Sequence, residues 1–286
     1  MAGSLWLDLL GSETRYYDAG GIRTRSIQAG SGDALILLHG IGATAETFAR
    51  NVMPLSAHFD TRAIDLLGHG LTGTIAGALS KDAFVEHVVD YMDAAGIERA
   101  HLIGVSLGGW LAMWTALLHP ARIGKVVNVV GAHLNVPVDE SDRQQAQAGL
   151  ERLQRLTRQF VNEPTREHLR ARLGYVFHHP DRDLPEELVD LRSALHRLST
   201  NAKQVEAFVR NPGPENLLTP EVLATVSQPT LLLWTDHNPS TAAVAAKTAV
   251  TYLPKGEFAL MTDCGHWPQW EDPATFDRIV TAFLTR

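Results

Sequence analysis

Short apolar runs that alternate with helical periodicity constrain this chain more than any other feature. Residues 34–38, 60–64, 100–104, 126–130, 230–234 and 258–261 read as strands, and helical segments over 47–56, 81–95, 107–118, 242–249 and 273–284 separate or follow them. The 34–38 run is apolar throughout, as expected of a strand covered on both faces. A repeated strand–helix–strand order predicts an α/β fold: a mostly parallel central sheet with helices on both faces. Two further strands, 15–19 and 22–28, are split by Gly20-Gly21 and read as a hairpin. Ser80 is placed to cap the helix over 81–95, whose Phe84, Val88 and Met92 fall on one stripe and which Gly96 closes. Pro120 stops the helix over 107–118.

Between the fourth and fifth of these core strands the pattern changes. From about His133 to Asn211 the chain is rich in Arg, Gln, Glu and Leu and has almost no strand signal. We expect an inserted helical cap over 134–211, with the core formed by 1–133 and 212–286. Leu150, Leu153, Leu156 and Phe160 mark one cap helix; Leu188, Leu191 and Leu195 mark a second, over 185–198. Pro212 and Pro214 mark the return to the core, and the Glu and Arg alternation across the cap reads as a solvated face.

Composition excludes more than it assigns. The 25 basic against 32 acidic residues give a net charge of -7, so neither nucleic acid nor an anionic membrane is an expected partner. No uncharged apolar run approaches the roughly 20 residues of a membrane helix. Residues 1–10 carry Asp8 and no basic residue before their apolar stretch, unlike a secretory signal. Cys264 is the single cysteine, so no intrachain disulfide forms and a cytoplasmic location is expected.

Gly104-Val105-Ser106-Leu107-Gly108 sets a serine between a strand and a helix. A serine on such a turn stands proud of the sheet, small neighbours leave room for the turn, and the Leu107 amide faces the oxygen of an attacked carbonyl. A hydroxyl needs a base, and His266, after the last strand, is the candidate among thirteen histidines. The carboxyl ends of parallel strands share one rim, which brings it toward Ser106. His39-Gly40-Ile41-Gly42 follows the first buried strand and offers a second oxyanion amide near Ile41. His178-His179-Pro180-Asp181 lacks a metal-ligand framework, and Asp65 reads as an anchor for its own loop.

His39-Gly40, Asp65-Leu66-Leu67-Gly68-His69-Gly70, the serine motif and Gly265-His266-Trp267-Pro268-Gln269-Trp270-Glu271 resemble the α/β-hydrolase superfamily along essentially the whole chain. The ending from Cys264 to Glu271, followed by Phe276 and Phe283, is similar to the meta-cleavage product hydrolases, which hydrolyse a carbon-carbon bond in dienoates from aromatic ring cleavage. That resemblance implies a triad acid in a Trp-Gly-x-x-Asp pattern, where this chain reads Trp234-Thr235-Asp236-His237-Asn238. Asn238 stands at the acid's usual position; Asp236 is the nearest carboxylate and is preferred as the third member, because an amide does not balance an imidazolium with a full charge. The resemblance also implies a cap arginine for the dienoate carboxylate, matched by Arg192, a residue whose other reading is a surface ion-pair partner. Val105 and the plain Ile41-Gly42-Ala43-Thr44 loop depart from that family, which places Asn before the nucleophile and keeps Gly-Pro-Gly-Ala in the loop.

The expected function is a serine hydrolase without cofactor or metal, acting on a small, partly apolar carbonyl substrate, foremost by carbon-carbon cleavage of a dienoate. A carboxylesterase or lactonase is the alternative, and a ligand-binding protein on the same fold, or a cofactor-free dioxygenase, is a reading of another class. Catalytic candidates are Ser106, His266 and Asp236 or Asn238, with Ile41 and Leu107 as oxyanion donors. Gly40, Arg192 and Trp267 are the substrate-binding candidates, with Trp110, Phe177 and Leu195 as further lining; a homodimer is possible.

Overall fold

The computed structural model describes residues 4–198, 205 and 213–286. Eight strands, β1 (Glu13–Ala19), β2 (Ile22–Ala29), β3 (Ala34–Leu38), β4 (Asp60–Ile64), β5 (Ala100–Val105), β6 (Ile123–Val129), β7 (Thr230–Thr235) and β8 (Gly256–Met261), form one sheet in the order β1-β2-β4-β3-β5-β6-β7-β8. The β1–β2 and β2–β4 pairs are antiparallel; all others are parallel. Gly20 and Gly21, both at positive φ, make the two-residue turn joining β1 to β2. This is the mostly parallel α/β sheet that the alternation implied.

Helices α1 (Leu5–Asp8), α2 (Ala49–Leu55), α3 (Lys81–Ala94) and α4 (Leu107–Leu118) precede β6, and the helices Ala243–Val250 and Pro273–Leu284 accompany the last two strands. Ser80 Oγ accepts from Ala83 N–H at 3.1 Å, as expected of a cap, a contact of the kind that contributes about 1 kcal/mol. Leu35 to Leu38 on β3 and Leu102, Ile103 and Val105 on β5 are fully buried within one apolar core, with α4 packed on both strands. At roughly 1.5–3 kcal/mol per buried large apolar side chain, this burial drives formation of the sheet centre.

The helices α5 (Glu140–Asn162), α6 (Arg166–Val176), α7 (Pro180–Asp183) and α8 (Glu186–Leu198) follow β6, and a short helix, Pro220–Leu223, precedes β7. A bridge between Leu134 and Leu218 pairs the two chain segments at the base of this insert. Pro212 and the end of the expected cap lie outside the described residues. Phe160, Leu169, Leu173, Phe177 and Leu188 form a second apolar cluster with Ala43, Ala49, Trp267 and Trp270 of the core. Of the expected apolar positions on α5, Phe160 is buried, whereas Leu150 is 42% exposed; Thr157 shares the buried face with Phe160. No helix of the described residues is long and apolar enough to cross a membrane.

Candidate active site

Ser106 occupies a sharp turn between β5 and α4, with φ 56° and ψ −113°. For a residue with a Cβ this backbone is strained, and the surroundings hold it in place. Its N–H donates to Val129 O at 2.9 Å, and its carbonyl accepts from Trp110 and Ala132. A Cβ on Gly104 would stand 2.0 Å from Gly108 O, and one on Gly108 would stand 2.0 Å from Leu38 O, so both flanking positions require glycine. Gly40 approaches the serine from β3: a Cβ there would lie 3.2 Å from Ser106 Cβ.

His266 lies in the loop between β8 and the last helices, on the rim where β3, β5 and β7 also end. Its N–H donates to Val176 O of α6 at 2.7 Å, so the insert helps to hold the loop. Its Nδ1 stands 2.7 Å from Asn238 Oδ1. The Asn238 amide nitrogen donates to Thr241 O, which orients Oδ1 as the acceptor and leaves the imidazole proton on Nδ1. Asp236, the preferred acid from sequence, is not the partner of His266. Its carboxylate accepts from the backbone N–H groups of Asp263 at 3.1 Å and Cys264 at 3.4 Å and lies 3.7 Å from His237. The continuation of β7 into the turn carries Asp236 sideways to the neighbouring loop and brings Asn238 inward. Burial, with Arg172 adding to it, pushes the His266 imidazole down to about 4, so it is neutral at pH 7. Among the described contacts, Ser106 Oγ and His266 are not hydrogen-bonded to each other.

The segment after β3 is tied to the insert. Arg172 Nη2 donates to Ile41 O at 3.1 Å, and Arg192 Nη2 donates to Gly42 O. Both arginines line a cavity of about 50 Å³ together with Ile41, Gly42, His69 and Thr157. Leu195 lines it too, whereas Trp110 and Phe177 do not. Trp110 is buried under the sheet rim with its Nε1 on Asn216 O, and Phe177 packs on Trp267 at 5.4 Å. Trp267 in turn lies 5.5 Å from the Arg192 guanidinium, walling it from outside the cavity. Arg172 and Arg192 are 6% and 5% exposed, against the expectation of a solvated charged face on the cap. No aspartate or glutamate lines the cavity among the described residues. Glu46, the carboxylate nearest in effect, is already held by Arg25 at 2.7 and 2.8 Å and by Thr44 at 2.6 Å. Burial lowers Arg192 to about 9, with Arg172 adding, and lowers Arg172 to about 10. Among the described residues, Arg192 Nη1 has no hydrogen-bond partner. Two buried guanidiniums with no countercharge among the described residues make this cavity attractive to an anion. Arg172 was missed from sequence because it falls among alternating charges; its only signal was its place on the same face as Leu169, Leu173 and Val176.

Asp65 anchors its loop, accepting from Ala45 and Leu71 N–H at 2.8 Å and from Arg25. His178 and His179 meet Asp263 across the fold, their ligand atoms all within 4.8 Å, a grouping that local spacing did not reveal. Asp263 also accepts from Arg182 at 3.3 Å, so an ion-pair cluster accounts for this grouping.

The model of the alpha/beta hydrolase fold family matches residues 33–273. A 2-hydroxy-6-oxononadienedioate/2-hydroxy-6-oxononatrienedioate hydrolase of a Pseudomonas species is 30% identical over 269 residues, covering 90% of this chain and 90% of that protein. The solved 2-hydroxy-6-oxo-6-phenylhexa-2,4-dienoate hydrolase of Rhodococcus sp. strain RHA1 has a TM-score of 0.80 at 20% identity, covering 96% and 99% of the two chains. A carboxylesterase from Bacillus subtilis has a TM-score of 0.77 at 24% identity, covering 98% and 93%. These two structural likenesses concern the fold.

Proposed function

The chain belongs to the alpha/beta hydrolase fold family, and from that premise we propose that it hydrolyses a carbon-carbon bond next to a ketone in a carboxylate-bearing dienoate. The observation that carries this reading is the pair of buried guanidiniums, Arg172 and Arg192, in a cavity against the loop that touches Ser106. A neutral ester offers such a cavity only an uncharged acceptor, whereas a substrate carboxylate satisfies Nη1 of Arg192 in a stronger, charge-assisted hydrogen bond. A volume of about 50 Å³ suits a carboxylate-sized group, a single water needing about 10–15 Å³ of such space. The rest of the substrate then reaches past Ile41 toward Ser106, beneath the insert acting as a cap. The relatives named as dienedioate hydrolases support the same substrate class.

In this reading His266, neutral with its Nδ1 proton on Asn238, presents Nε2 to the serine hydroxyl or to a water. The missing Ser106–His266 hydrogen bond forms when substrate is bound, as catalytic contacts in unliganded enzymes commonly tighten in the complex. The 2-hydroxyl proton of the dienol is moved to carbon, giving the ketone form; the Ser106 hydroxyl then attacks the remote carbonyl, its proton passing to His266, and the N–H groups of Leu107 and Ile41 receive the charge on oxygen. The carbon-carbon bond breaks as the leaving carbon takes that proton, and a water hydrolyses the acyl-serine to the second carboxylic acid and restores the Ser106 hydroxyl. No cofactor is required.

The test sets a coloured ring-cleavage dienoate against a neutral short acyl ester with the purified protein. Preferential turnover of the dienoate, lost in Ser106→Ala, supports the proposal. Turnover of the ester alone overturns the carbon-carbon assignment. Failure of a fluorophosphonate to label Ser106 points instead to a ligand-binding protein, the reading that Asn238 in the acid position favours.

A further inference from the structure

Residues 40–43 form a tight turn, closed by the Ala43 N–H to Gly40 O hydrogen bond at 3.1 Å. Of its two central residues only Gly42 has positive φ, +60°, which is the type II form. Types I and II differ by rotation of the central peptide, here Ile41–Gly42. Glycine accepts either sign of φ at little cost, so this turn does not lock itself. Its central carbonyl, Ile41 O, is the group that Arg172 Nη2 holds, and Thr157 Oγ1 of α5 fixes the same guanidinium through Nε at 3.0 Å. Arg192 of α8 holds the next carbonyl, Gly42 O.

We infer that Arg172 is a positioning residue that locks this turn in its type II form, so that the insert sets the oxyanion site from outside. Rotation of the central peptide would swing Ile41 O away from the insert toward the rim beneath it and send the Gly42 N–H the other way. A carbonyl dipole would then face the place where the developing oxyanion needs donors. Arg192 shares its guanidinium between the turn and the anion cavity, while both side-chain bonds seen for Arg172 are to the protein. The two arginines therefore divide the work: Arg192 binds the substrate's charge and Arg172 shapes the loop. This inference rests on the hydrolase reading above and adds a residue to its site.

The experiment compares wild type, Arg172→Gln, Arg172→Lys and Arg192→Gln on a neutral acyl ester and on the dienoate, with the rate of fluorophosphonate labelling as a third readout. Loss of the hold on Ile41 should lower kcat on both substrates and the labelling rate together by about tenfold or more, with KM nearly unchanged. Lysine, which keeps a donor, should restore part of this loss, and Gly42→Ala, which disfavours positive φ, should reproduce it. Arg192→Gln should instead raise KM for the dienoate alone. An Arg172→Gln protein that loses only dienoate affinity, or that keeps full kcat on the ester, overturns the inference. A wild type that takes no fluorophosphonate sinks the Ser106 reading rather than this one. The Gly42 amide resonance then decides: a shift in Arg172→Gln or Arg172→Lys relative to wild type is expected, and an unchanged resonance overturns the lock.

Discussion

His266 Nδ1 faces Asn238 Oδ1 at 2.7 Å, so an amide rather than a carboxylate orients the imidazole at this site. An amide fixes the tautomer but adds no negative charge to balance an imidazolium. The burial that pushes His266 down to about 4 is therefore unopposed.

Asn238→Asp should raise the His266 pKa and increase ester and dienoate turnover. The gain should be on the order of tenfold to a hundredfold, in the direction opposite to the Asp→Asn loss in serine proteases. Steady-state kinetics check this: the acidic limb of kcat/KM, near pH 4 in wild type, should move upward in the variant. An acidic limb that stays in place would mean that the acid enters from elsewhere.

Stability should fall on acidification from pH 6.5 toward 4. His69, His87, His133 and His266 are each pushed down to about 4 by burial, and His39 well below its ordinary value. In this window the unfolded chain takes up protons that the folded chain refuses, so unfolding gains with each step down in pH. Asp277, raised to about 7, and Glu271 and Asp90, also raised, act in the opposite sense, but five imidazoles outweigh three carboxyls. Melting temperatures across this range test the sign; a Tm flat or rising toward pH 4.5 would contradict it.

Replacing Arg192 by methionine should stabilise the fold while weakening substrate binding. The charge is buried and among the described residues Nη1 is unpaired, so an apolar isostere removes a desolvation cost larger than the lost Nη2 bond to Gly42 O, for a net gain of about 1–2 kcal/mol. Denaturant titration together with KM for the dienoate measures the two effects. A loss of both stability and affinity would show that Arg192 is mainly a strut for Gly42 O.

Ser106→Gly should raise stability by about 1 kcal/mol, because glycine adopts the positive φ of the turn without strain, and should abolish fluorophosphonate labelling. Gly104→Ala tests the same turn from the other side. With a Cβ 2.0 Å from backbone oxygen, it should destabilise by more than about 3 kcal/mol.

Much of the site was legible along the chain. The glycines flanking Ser106 are needed within one turn, and Ser106, His266, Ile41 and Leu107 each follow or open a regular element whose periodicity is local. Some boundaries differ: the strand expected over 126–130 runs Ile123–Val129, because a covered strand extends into residues that propensity alone does not mark. The helix expected over 47–56 begins as a tighter turn, Ala45–Phe48, before Ala49–Leu55. The choice between Asp236 and Asn238 was not legible, since two residues of the same loop differ only in which way the backbone turns them.

The order of apolar runs and glycines determined the sheet, the serine turn and the arrival of His266 at the same rim, since strand burial and turn sterics depend on neighbours in sequence. Only the tertiary structure decided that an amide meets His266 and that Arg172 and Arg192 turn inward onto Ile41 and Gly42. Hydrogen bonds and desolvation act between groups far apart in the chain, and an arginine's local spacing does not reveal whether its charge faces water or a cavity.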